Sequence, residues 1–168
     1  MRTNLLVKIL ILQMRQLGQL APPLAIRLFD QYVLPILEYA AEFSFNKKYI
    51  TYFEKVHLKF LKQILGVTMQ TPTLAIYGET GRIPLEIRHK LILLKYYIHT
   101  KENSTSHLVK LMMEQLALFD SMGWKNWYSS VKDLLNNLSK EYDKPFTIER
   151  LSYRDITEIK RLGSNSPY

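Results

Sequence analysis

The chain contains no cysteine. That excludes disulfides, thiolate zinc sites and cysteine nucleophiles together, and it suits a reducing intracellular compartment, cytoplasm or nucleus. No apolar run approaches the roughly 20 residues a membrane span needs, so no membrane partner is expected. The start, MRTNLLVKILIL, has a basic residue followed by an apolar run, but Lys8 interrupts it and no small-x-small cleavage pattern follows closely. A buried or partner-covered helix is the better reading of that segment. Only six glycines are present, and Gly78-Glu79-Thr80-Gly81 lacks the spacing and the Lys-Ser/Thr of a phosphate-binding loop. No two acidic residues are adjacent, so the paired aspartates that hold polymerase metal ions are missing. The four histidines, at 57, 89, 99 and 107, include no pair at the i, i+4 spacing of a helical metal site. No serine sits in a nucleophile-elbow context. No catalytic constellation, metal site or cofactor site is expected within this chain.

What is present is a basic, apolar-rich composition. Hydrophobic residues make up 47% of the chain and charged residues 23%, a globular balance with enough length for one modest domain. The formal charge of +8 favours polyanionic partners, and nearly all of the excess lies before residue 103.

Apolar periodicity predicts an all-α fold, an irregular bundle of about six or seven helices. A helix over 4–17 ends at Gly18 and the Ala21-Pro22-Pro23 break. A second pattern over 24–43 carries Pro35 inside it, which predicts a break near Val33–Leu34, because proline removes a donor and clashes with the preceding turn. The clearest helix covers 47–65, with Ile50, Phe53, Val56, His57, Phe60, Leu61 and Ile64 on one arc and Gly66 as its stop. Thr71-Pro72 and Ile83-Pro84 read as helix starts, with a tight turn at 78–81 between them. The helix over 84–100 is apolar on most of its circumference and is expected at the centre of the bundle. Ser106 caps a helix to about Ser121, Asn126 or Lys125 opens another, and Ser152 with Asp155 caps a last short helix ending at Leu162-Gly163. By composition the chain divides into an N-terminal helix and proline break (1–23), a helical bundle (24–139) and a polar tail (140–168).

One feature invites a functional reading. Lys48, Lys55, Lys59 and Lys62 fall on the arc opposite the apolar one, within about 60° of one another. No acidic residue stands among them, Tyr52 shares the face, and Arg82, Arg88 and Lys95 follow along the chain. Basic faces with aromatic neighbours track phosphates and stack bases. A plain solvated face is the competing reading, and the sequence leaves both open.

Three blocks carry a resemblance. LFDQYVLPILEYAAE, FEKVHLKFLKQILGV and TPTLAIYGETGRIPLEIRHKLILLKYYI, in that order, are similar to the region that follows the catalytic palm in reverse transcriptases of non-LTR (LINE-like) retrotransposons. The match covers about residues 20–100, with a weaker extension at Asn126–Leu135. Phe53, His57, Phe60, Leu61, Ile64, Leu65 and Gly66 match the family's packing helix. Thr71, Pro72, Tyr77, Gly78, Glu79, Gly81, Arg82 and Pro84 match its turn block. Ala40 stands where the family usually has glycine, Ser44 stands near its usual tryptophan, and the spacer between Glu42 and Phe53 is short. The resemblance implies a helical thumb and connector that pack beside an RNA or RNA–DNA duplex and against a palm. The Mg2+-binding polymerase acids belong to the parent protein outside this chain. The chain is thus expected to be a polymerase fragment that is not catalytic alone. The alternative is a non-functional or protein-interaction helical domain that binds no nucleic acid.

Overall fold

Proline, glycine and capping residues set most of the element boundaries. A computed structural model of the chain describes residues 21–39, 41–42, 47–103 and 106–165. The helix expected over 4–17, the family departures Ala40 and Ser44, and the last residues of the tail lie outside these. Among the described residues the fold is all-α, with eight helices and no strand. The count exceeds the expected six or seven partly because Pro35 divides the second pattern in two. Helix α1 (Pro22–Tyr32) stops at Val33, and α2 (Leu34–Leu37) carries the proline in its first turn, where the missing N–H is not needed.

The chain forms two compact units, and α5 (Leu85–Asn103) starts in the first and continues in the second. The core of the first unit is built from α1, α2, α3 (Lys47–Ile64) and α4 (Thr73–Thr80), together with Leu85. Phe29, Leu37, Phe60, Leu61 and Leu85 are fully buried in it, and the rings of Phe29 and Phe60 stack at 4.2 Å. Helix α3 ends as expected, at a left-handed Gly66 with φ +66°, and the Val67 N–H reaches back to the Lys62 carbonyl to close the last turn.

Two expectations near the turn block need correction. Helix α4 begins at Thr73, and the Thr71 hydroxyl faces Thr68 instead of capping it. Gly78 is helical, so the tight turn over 78–81 reduces to Gly81 alone, left-handed at φ +63°. The start of α5 is capped from a distance: Glu54 Oε2 on α3 accepts the Leu85 N–H at 2.6 Å.

The second unit is assembled from α5 after Ile87, α6 (His107–Ser121), α7 (Trp127–Tyr142) and α8 (Tyr153–Asn165). Leu91, Leu93, Leu94, Tyr97 and Ile98 of α5 are buried, as are Val131, Leu134, Leu135 and Leu138 of α7. Helix α5 is therefore covered on most of its circumference, as its apolar pattern requires. Asn126 forms a capping box with Ser129 at the start of α7. Asp120 on α6 accepts from Ser129 Oγ at 2.6 Å and Lys132 Nζ at 2.9 Å, which ties α6 to α7. The hydrogen bond from Ser129, then that from Lys132, holds the Asp120 carboxyl below its usual range.

Residues 140–168 were expected to be a polar tail, yet Phe146, Ile148, Leu151, Ile156 and Ile159 are buried. Asp155 accepts from both the Ser152 N–H and hydroxyl at 2.8 Å, as the capping pattern predicts. Helix α8 then runs through Gly163 instead of stopping there. A Cβ at that position would stand 2.7 Å from Ile87 Cδ1, so this glycine serves close packing, not termination. No helix of the described residues is long and apolar enough to cross a membrane.

Candidate nucleic-acid interface

Helix α3 separates its faces as the periodicity predicts. Ile50, Val56, His57, Phe60 and Leu61 are buried, while Lys55 and Lys59 are exposed one turn apart. Neither lysine makes a hydrogen bond or ion pair with a described residue. Tyr52 shares their face, 41% exposed, with its ring edge-on to Phe53. The side chain of Lys48 lies outside the described residues.

The other cations of the predicted set are placed differently. Lys62 is buried, and its ammonium donates to the Met69 carbonyl at 2.8 Å. The loop after Gly66 folds back over it through this contact. It is a loop-holding group, a departure from the expected exposed row. Arg82 pairs with Asp30 and is 13% exposed, so its charge is largely spent within the first unit. Arg88 is half-buried and engaged in interactions of its own. Lys95 is exposed on the part of α5 that belongs to the second unit. Of the seven cations predicted, the structure brings together Lys55 and Lys59 as a solvent-facing pair.

The sequence reading missed Glu54. This residue sits beside a cavity of about 230 Å³ whose lining includes Lys55, Tyr77 and Pro84. Burial, working against backbone hydrogen bonds from Leu85 and Glu86, raises its pKa from 4.5 to about 7. Its Oε1 and the hydroxyl of Tyr77 are buried without a hydrogen-bond partner among the described residues. A usable signal existed: Glu54 falls at the border between the apolar and basic arcs, where an acid is half-buried by geometry alone.

Glu54 also stands three residues before His57, and Glu86 three before His89, a Glu-x-x-His spacing that recurs in dinuclear metal sites. In the first pair Glu54 caps α5, and His57 packs in the core. His57 is fully buried with its ring stacked on Phe29 at 5.4 Å and near Tyr77 at 6.2 Å. No group of three or more His, Cys, Asp or Glu among the described residues could hold a metal ion.

Comparison of the chain with protein-family models, with curated proteins and with solved structures gives no match in any of the three.

Proposed function

We propose that the chain is a nucleic-acid-facing helical segment of a non-LTR retrotransposon reverse transcriptase, the thumb and connector after the palm. In this reading it contacts template–primer or element RNA through phosphates, packs against a palm, and performs no catalysis alone. The polymerase Mg2+ is held by the palm, and the working compartment is the cytoplasm or nucleus. The observation that carries the reading is the exposed pair Lys55 and Lys59, without a partner among the described residues, with Tyr52 on the same face of a helix whose other side is core. The net charge of +8 supports it through long-range attraction to polyanions. So does the order of the three sequence blocks.

The test is binding of the full chain to an RNA–DNA duplex. Changing Lys55 and Lys59 together to Glu is expected to weaken binding by about tenfold or more near physiological salt. Equal affinity of wild type and double variant would exclude this face. Lys62 is left in place, because removing its contact to Met69 would disturb the loop after α3.

A second reading, a protein-interaction domain, is favoured by α6. None of its residues is buried, and Leu108, Leu111, Met112, Leu118 and Phe119 are exposed on it at helical spacing. Exposed apolar surface of that kind is a mark of protein contact.

A further inference from the structure

Helix α6 has two apolar sides, and only one of them is covered. Val109, Met113, Leu116 and Ala117 are half-buried on the side that Asp120 ties to α7. The opposite side is exposed and centred on Gln115. Leu108 and Met122 stand seven residues to either side of it, Leu111 and Phe119 four, and Met112 and Leu118 three, and all six are exposed. At 3.6 residues per turn they fall within about 60° of Gln115. A helix apolar on both sides is normally covered on both, so this stripe calls for a partner.

Area, charge and the central amide point to a second copy of this chain. Trp124, 67% exposed, stacks on Phe119 at 5.6 Å and extends the stripe. At about 200 Å² for a fully exposed large side chain, these apolar residues offer on the order of 700 Å² per copy, near the ~800 Å² a side of a stable interface. The whole chain carries +8 and so repels its own copy. Helix α6 carries one lysine, Lys110, against two acids, Glu114 and Asp120, a net charge of −1. Two copies can meet here without bringing positive charge against positive charge, and a polyanion gains little from this face.

Gln115 is exposed and has no hydrogen-bond partner among the described residues. Its amide both donates and accepts. In a two-fold pair that covers the whole stripe, parallel in register or antiparallel about its centre, Gln115 meets Gln115 of the second copy. The two amides then satisfy each other. A single polar residue in an apolar seam fixes register in this way, at a cost in stability. We infer that α6 is a homodimer contact, a two-fold pairing of the exposed stripe with Gln115 opposite its own copy. The inference names the partner for the protein-interaction reading of α6 and rests on that reading.

Sedimentation equilibrium of the full chain, from micromolar to near-millimolar concentration, tests it. The wild type should approach twice the chain mass. Gln115→Lys and Gln115→Glu each set like charges together in a homodimer, and each should weaken association by about tenfold or more. An equimolar mixture of the two should recover association, because lysine then meets glutamate. Gln115→Leu should tighten it by removing the buried amides. Circular dichroism confirms that each variant keeps its helices; Gln115 is exposed within the chain, so no core contact is lost. A species larger than a dimer, or equal association of wild type and Gln115→Lys, would overturn the inference.

Leu111→Glu with Met112→Glu separates this inference from the reading beneath it. Association that survives the double change refutes α6 as the contact, and both fall. Association lost in the double variant, with no recovery in the Gln115→Lys and Gln115→Glu mixture, refutes the Gln115 pairing alone. A wild type that stays monomeric throughout refutes the second copy and leaves α6 to a different protein.

Discussion

Glu54 holds two opposed requirements. Its carboxylate caps α5 through the Leu85 N–H, yet burial raises its pKa from 4.5 to about 7. Between those values the folded state keeps a proton that the unfolded state has released. The contribution of Glu54 to folding stability is therefore fullest below pH 4.5, falls as pH rises through the window and levels off above about 7. The full effect is on the order of 3 kcal/mol. Glutamine can still accept the Leu85 N–H but carries no charge. Urea unfolding at about pH 5 and about pH 8 should show a clear loss of stability in the wild type and a smaller one in Glu54→Gln, with the variant the more stable at the higher pH. Identical pH slopes would show that Glu54 is not the group responsible. Asp143 is a simpler case. It ends α7 in the left-handed region at φ 49°, the one non-glycine residue among those described with positive φ. Asp143→Gly should raise stability by about 0.5–1 kcal/mol in the same urea measurement; an unchanged or lowered value would mean that the aspartate side chain offsets its backbone cost.

Elements were the most legible scale. Apolar arcs at helical spacing placed α3, α5 and α7, and Asn126 and the Ser152–Asp155 pair marked helix starts through capping chemistry that is local in sequence. Pro35 marked a break for the same reason. What failed depended on contacts that helical spacing and capping patterns do not fix. Thr71 looked like a cap, but its hydroxyl is turned toward Thr68, and the cap of α5 comes from Glu54, far away in sequence. Gly163 looked like a stop, but it is needed where α8 meets Ile87. Gly163→Ala should therefore cost about 1–3 kcal/mol by overpacking, despite alanine's better helix propensity. Pairing it with Ile87→Ala should recover part of the loss relative to the sum of the single changes, a coupling that a double-mutant cycle reads directly. Strict additivity would contradict the close approach.

The candidate site was half legible for the same reason. Lys55 and Lys59 follow from the helical wheel, but the burial of Lys62 and the pairing of Arg82 with Asp30 depend on loop closure and on residues distant in sequence.

At the scale of the whole molecule, charge and exposed apolar surface point to contacts beyond this chain. The stripe on α6 predicts self-association that rises with concentration, measured by sedimentation. Leu111→Glu with Met112→Glu should shift the chain toward monomer without loss of helix; unchanged association would place the contact elsewhere. The central claim, phosphate contact by the α3 face, is tested most directly by the salt dependence of RNA–DNA duplex binding. Each lysine on a phosphate adds about 0.9 to the steepness of log K against log salt. The wild-type chain should show a linear decline, and Lys55→Glu with Lys59→Glu should reduce its slope by about 2. No duplex binding at low salt, or the same slope in both proteins, would contradict the account.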